Sequence, residues 1–196
     1  MIEYFENVTN IMKQSLESID EGTFNRLLSD AKQVLKEGNK IIVSGLGKNV
    51  PICDKFVGTM ISLGLNANFL HTNSAVHGDL GMVKEGDLVI ILTKSGETKE
   101  SIYLANLLES RNVHLWLLSF SHDSTLARKI PNKLIVDLEH EGDLWDIVPN
   151  NSTTLNLIIL QALAIELSKS LNVSLEQFKR NHPGGHIGDI LKNEGR

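Results

Sequence analysis

The chain has 196 residues, 41% of them hydrophobic and 22% charged, the make-up of one ordinary globular domain with a full core. A formal net charge of -5 without any Lys/Arg cluster excludes a surface built to neutralise a nucleic-acid backbone or to lie on an anionic membrane, and leaves a small molecule as the expected partner. No stretch approaches the ~20 apolar residues that cross a bilayer, and the acidic start MIEYFENVTNIMKQ is unlike a basic signal peptide, so a cytoplasmic location is expected.

Residues 1–38 read as helix in two pieces, over roughly 2–37, ahead of a core spanning 39–196. No internal repeat, low-complexity run or linker divides the chain, so the two parts make a single domain. Five short segments are rich in β-branched and aliphatic residues: KIIVSG (Lys40 to Gly45), ANFLH (Ala67 to His71), DLVIILT (Asp87 to Thr93), VHLWLLSF (Val113 to Phe120) and KLIVDL (Lys133 to Leu138). Their near-continuous apolar runs predict strands buried on both faces. Helical spacing fills most of the gaps, as in CDKFVGTMISLG and KESIYLANLLESR, and the alternation predicts parallel βαβ units in a three-layer α/β domain. After the last strand, STTLNLIILQALAIELSKSL (Ser152 to Leu171) predicts a long helix, apolar nearly all round and suited to burial against another subunit. The single cysteine, Cys53, has no disulfide partner and no neighbour at metal-ligand spacing, and is expected to be a half-buried side chain without chemistry.

In an open parallel sheet, ligands sit beyond the carboxyl ends of the strands, and these ends carry the unusual residues. After the first strand, SGLGKN brings Gly45 and Gly47, which let backbone approach a ligand, and the cation of Lys48. The segment is no nucleotide-triphosphate loop, because Ile42 stands where that pattern needs glycine and Asn49 where it needs a hydroxyl; Val50 likewise occupies the third glycine's place of a dinucleotide fingerprint. A plain tight turn and a binding loop both fit it. After the third strand, Thr93, Ser95 and Thr98 set hydroxyls around Gly96 where a helix begins, the chemistry of a phosphate cradle. Helix capping by Ser95 or Thr98, with Glu97 and Glu100 in the first turn, is the plainer reading, but one cap does not need three hydroxyls around a glycine.

HTNSAVHGDLGM supplies His71, Ser74, His77 and Asp79 in a loop, and its two histidines lie at no standard zinc spacing. The loop after the fifth strand carries Glu139, Glu141, Asp143 and Asp146, and leaves the sheet at the same edge as the cradle; a general base has a place here. Near the end, NHPGGHIG breaks a helix with Pro183 and two glycines and carries His182 and His186.

Taken together, GLGKN, HGDLGM, TKSGET, STT and HPGGHIG, in this order and spacing over about 41–191, resemble the sugar isomerase (SIS) family, and more closely the isomerase domain of arabinose 5-phosphate isomerases. The resemblance implies a flavodoxin-like αβα sandwich of five parallel strands, assembled as a homodimer or homotetramer. It further implies interconversion of D-arabinose 5-phosphate and D-ribulose 5-phosphate through an enediol, supplying Kdo for lipopolysaccharide or capsule, with no organic cofactor and no essential metal. Carried over position by position, the catalytic residues would be Lys48, Glu97, Glu141 and His182. Glu141 would be the base, Lys48 would stabilise the oxyanion, and Glu97 would orient the others. His182 would open the ring or shuttle a proton, with a neighbouring subunit's site within its reach. Ser44, Thr93, Ser95 and Thr98 would hold the phosphate, Ser152 and Thr153 would close the pocket, and Gly45, Gly47, Gly96 and His77 would complete the substrate site.

The chain departs from the family's pattern at several places. G-K-S-G is common where Gly47, Lys48, Asn49 and Val50 stand, and S-N-S-G-E where Thr93, Lys94, Ser95, Gly96 and Glu97 stand. K-E-A-C-P-L-G is common where the chain reads His140, Glu141, Gly142, Asp143, Leu144, Trp145 and Asp146. Relatives in this branch often continue into paired cystathionine β-synthase (CBS) domains, and with Arg196 as the last residue no such module is expected. These departures keep open a 3-hexulose 6-phosphate type of isomerase. A phosphosugar sensor is the non-catalytic alternative, although no basic helix-turn-helix segment precedes Lys40.

Overall fold

The computed structural model describes residues 1–193; positions 194–196 of the expected core lie outside the described residues. Two helices open the chain, α1 (Ile2–Glu17) and α2 (Glu21–Lys36), the second capped by Asp20, whose carboxylate accepts the Thr23 N–H at 2.7 Å. Five strands follow: β1 (Ile41–Ser44), β2 (Ala67–Phe69), β3 (Leu88–Thr93), β4 (His114–Ser119) and β5 (Lys133–Ile135). They pair in parallel throughout, in the order β2-β1-β3-β4-β5.

All six residues of β3 are buried, and the first five alternate between two cores. Leu88, Ile90 and Leu92 face a core shared with α2, α3 (Asn49–Ser62) and α7 (Asn151–Ser170). Val89 and Ile91 face a second core, shared with α5 (Lys99–Leu108) and α6 (Thr125–Lys129). Helices on both faces of a parallel sheet make the three-layer αβα sandwich that the apolar strands predict. The remaining helices are short: α4 (Thr72–Ala75), α8 (Leu175–Asn181) and α9 (Gly185–Asn193).

Three details differ from the sequence reading. The edge strands β2 and β5 are shorter than ANFLH and KLIVDL, because each has a neighbour on one side only; a single further bond extends each, from Leu70 N to Val43 O and from Val136 N to Ser119 O, both at 3.0 Å. α7 buries Leu155, Ile159, Leu160, Leu163, Ala164 and Leu167 against helices of its own chain, α3 foremost, so its apolar surface is largely covered without a partner, and Ile158 and Ile165 stay exposed. Cys53 is fully buried rather than half-buried, and burial, with the Asp54 charge second, pushes its thiol up to about 12.

The end of the sheet away from the strand tips is fastened by Asp87, itself fully buried. Its carboxylate accepts the Lys40 ammonium at 2.7 Å and the backbone N–H groups of Lys40 at 3.1 Å and Lys84 at 2.7 Å, tying the start of β1 to the start of β3. An amide in its place turns a donor toward these donors. Asp87→Asn is therefore expected to destabilise the fold by about 3 kcal/mol, read as a lower urea midpoint at unchanged slope.

Candidate active site

β1 and β3 are neighbours whose connections leave to opposite faces of the sheet, β1 running on to α3 and β3 to α5. At such a divergence the two loops part, and a cleft of about 360 Å³ opens between them and the start of α7. On the β1 side, a Cβ at Gly45 would stand 2.8 Å from the Asn49 Cβ, so only glycine lets α3 start this close to the strand. Lys48 occupies the N-cap of α3 and lines the cleft beside Asn49.

On the β3 side the loop folds on itself. Thr93 Oγ1 accepts the Gly96 N–H and Ser95 Oγ accepts the Glu97 N–H, both at 3.2 Å. Gly96 has φ +68°, and a Cβ there would fall 2.1 Å from Ser124 Oγ. Thr98 is the N-cap of α5, yet its side chain makes no cap hydrogen bond. Its hydroxyl therefore lines the cleft uncommitted to capping, and the first turn of α5 offers N–H groups and the positive end of its dipole to an anion.

Behind the third wall, formed by Pro149, Ser152 and Thr153, lies a charge taken out of water, which does not itself line the cleft. Glu141, in the loop before α7, is fully buried, and its Oε2 accepts the N–H groups of Asn150 at 3.0 Å and Ser152 at 2.9 Å at the helix N-terminus. Its Oε1 receives no aligned hydrogen bond among the described residues; the Lys94 ammonium stands 2.9 Å away. Burial pushes the Glu141 pKa up, but the Ser152 and Asn150 N–H groups and Lys94 together outweigh it and hold the carboxyl below its ordinary range. The loop that delivers it is closed locally, with Glu141 N donating to Asp146 Oδ1 at 2.7 Å and Asn151 Nδ2 to the His140 carbonyl at 2.9 Å.

Of the residues singled out in the sequence, Gly47, Lys48, Thr93, Ser95, Thr98, Ser152 and Thr153 line this one cleft. Gly45 and Gly96 support its walls from behind. Ser44 lies within the sheet, bonded to Thr72 Oγ1 at 2.9 Å, and shapes the base of the β1 loop without lining the cleft. Glu97 turns away, accepting the Thr125 N–H at 2.6 Å and hydroxyl at 2.8 Å, bonds that hold its carboxyl below the ordinary range and pin the hydroxyl loop to α6. His77 lines a separate groove with Thr72 and Tyr103. His182 closes α8 with its ring stacked on Phe178 at 4.0 Å and its Nε2 3.2 Å from Ser62 Oγ. Ser62 ends α3 and Asn49 begins it, so about 20 Å of helix axis separates His182 from the cleft of its own chain.

Reading the sequence alone passes over Lys94 and the pair Asn49 and Asn156. Asn156 lies four residues after Ser152, on the same face of α7, and that spacing inside an apolar helix is the available signal. Its Nδ2 donates to Asn49 Oδ1 at 2.9 Å, while its buried Oδ1 has no partner among the described residues. Among those residues no three His, Cys, Asp or Glu side chains converge as a metal set, and no helix is long and apolar enough to cross a membrane.

The SIS domain model matches residues 34–166, the stretch from the end of α2 through most of α7. The chain belongs to the SIS domain family. Among curated SIS relatives, the arabinose 5-phosphate isomerase KdsD of Yersinia pestis is 30% identical and that of Escherichia coli K12 32% identical, each over 95% of this chain. The chain spans 57% of the length of either relative. A solved SIS structure, Escherichia coli CFT073 c3406 in complex with arabinose 5-phosphate, superposes with a TM-score of 0.84 at 29% identity, covering 92% of this chain and 94% of that one.

Two outcomes are expected from this geometry. Gly96→Ala forces a side chain into the left-handed region and onto Ser124, and should cost about 2 kcal/mol in urea unfolding. A carboxyl held low stabilises the fold above its ordinary pKa and ceases to do so as pH falls through its lowered value. The stability gap between the wild type and Glu141→Gln should thus be full above about pH 5 and close progressively in more acid solution, as followed by urea titrations across pH.

Proposed function

We propose that this SIS domain is a phosphosugar aldose–ketose isomerase, with D-arabinose 5-phosphate and D-ribulose 5-phosphate as its favoured pair. The observation that carries this is the fully buried carboxylate of Glu141, held by the N-terminus of α7 and by Lys94 of a loop of three hydroxyls that lines the cleft. The curated relatives named for that activity, and the relative solved with arabinose 5-phosphate, support the choice of sugar.

The phosphate lies among Thr93, Ser95 and Thr98 and against the first N–H groups of α5, which favour an anion by both hydrogen bonding and dipole. The sugar then extends toward α7, with Ser152 and Thr153 along it. Isomerisation moves a proton between C1 and C2 through an enediol. Glu141 takes it from one carbon and returns it to the other, while Lys48, on the opposite wall, stabilises the charge that grows on the carbonyl oxygen. Glu97 acts at one remove, holding the hydroxyl loop through Thr125. His182 stands too far from its own cleft to take part there, so it serves a neighbouring subunit's site in a homodimer or homotetramer, opening the ring or shuttling the proton. The site works without an organic cofactor or metal, and the product feeds Kdo synthesis for lipopolysaccharide or capsule.

The test is turnover of D-arabinose 5-phosphate by the purified protein, beside ribose, glucose and hexulose phosphates. Turnover of the arabinose compound is expected, with Glu141→Gln lowering kcat at least ~100-fold. Mixing Glu141→Gln protein with His182→Ala protein should restore activity that neither has alone. Tight binding of a sugar phosphate with no turnover of any would favour the sensor reading instead.

A further inference from the structure

Lys94 is the cation that this mechanism leaves unused. It stands between Thr93 and Ser95 in the hydroxyl loop, lines the cleft, and has a side chain 43% exposed. Its ammonium nonetheless lies 2.9 Å from Oε1 of a carboxylate with no exposure at all. Oε2 keeps two backbone N–H bonds whatever the lysine does, whereas Oε1 has no aligned hydrogen bond and depends on that ammonium. A base in this state is covered and neutralised. Within its own loop Asp146 accepts the Glu141 N–H and His140 the Gly142 N–H, and among the described residues Lys94 is the cation paired with Oε1.

A phosphate monoester seated among Thr93, Ser95 and Thr98 brings close to two negative charges beside the lysine's own backbone. A flexible four-carbon stem with a compact ammonium can turn from one anion to another a few ångströms away. We infer that Lys94 has two positions, on Glu141 before a sugar binds and on the phosphate once it has bound, so that the substrate's phosphate uncovers the carboxylate. The inference rests on the reading of the cleft as a phosphosugar site and adds an order of events to it. The base is exposed only after the phosphate has been seated.

The test is calorimetric binding of inorganic phosphate to the wild type, Glu141→Gln, Lys94→Met and the double variant, each first checked for folding by thermal melting. If Glu141 competes with phosphate for Lys94, Glu141→Gln binds phosphate about tenfold more tightly than the wild type, although it removes a residue of the site. Lys94→Met binds about tenfold more weakly, and adding Glu141→Gln to it gives no further gain. A gain of equal size with and without Lys94 is a general effect of removing a negative charge and overturns the inference, as does no gain at all. Lys94→Met alone leaves a buried carboxylate without its cation; should it not fold, the double variant, which lacks both charges, is compared with Glu141→Gln and must bind phosphate about a hundredfold more weakly, equal binding overturning the inference. Turnover is not the readout here. A protein with this binding pattern that isomerises no sugar would sink the isomerase reading and keep the lysine transfer, and an active isomerase whose gain ignores Lys94 would do the reverse.

Discussion

A strand buried along its whole length imposes most of what surrounds it. The six residues of β3 are all out of water, so apolar layers must cover both faces of the sheet, and helices supply them from both sides. No polar side chain can be accommodated along such a strand without a partner, and the chain's hydroxyls and charges gather where the strand stops. Parallel pairing then places every strand's carboxyl end on one edge, and the divergence of β1 and β3 opens that edge into a cleft.

Behind the cleft wall, the costly element is the carboxylate of Glu141. A charge with no exposure persists only where donors replace the water it has lost, and the N-terminus of α7 offers two. The helix is stabilised in return, since Glu141 satisfies N–H groups that Asn150, at the N-cap, does not cap with its own side chain. Fold and site are thus joined through one side chain. They are joined again at Gly96, where a left-handed backbone lets the hydroxyl loop pass against Ser124, and Glu97 fastens the same loop to α6.

The separation of His182 from the cleft has a simple geometric origin. It is tied to the far end of α3 by Ser62, with its ring stacked on Phe178 of its own α8, while the cleft lies at the near end of α3. A rigid helix holds the two apart within one chain. The exposed Leu144, Trp145, Ile147 and Val148 in the loop after Glu141 leave apolar surface close to the site as well.

The five apolar runs, their alternation with helical spacing and the hydroxyls at the third strand's end are enough to read the layers, the parallel sheet and the edge that carries the site, because periodicity and strand-end chemistry are local properties. The edge strands are shorter than their runs, since pairing on one side is a property of the assembled sheet. Ser44 reads as a phosphate ligand and Glu97 as a catalytic residue that orients the others, yet one bonds Thr72 beside the sheet and the other bonds the start of α6. Lys94 and Asn156 give little local sign of themselves. Asn156 is placed by Asn49, 107 positions away along the chain, and Lys94 by Glu141, from a loop that follows two further strands. Local sequence determined which residues would stand at the strand ends; only the tertiary structure decided which of them meet, because a contact between distant segments depends on the packing of everything between them.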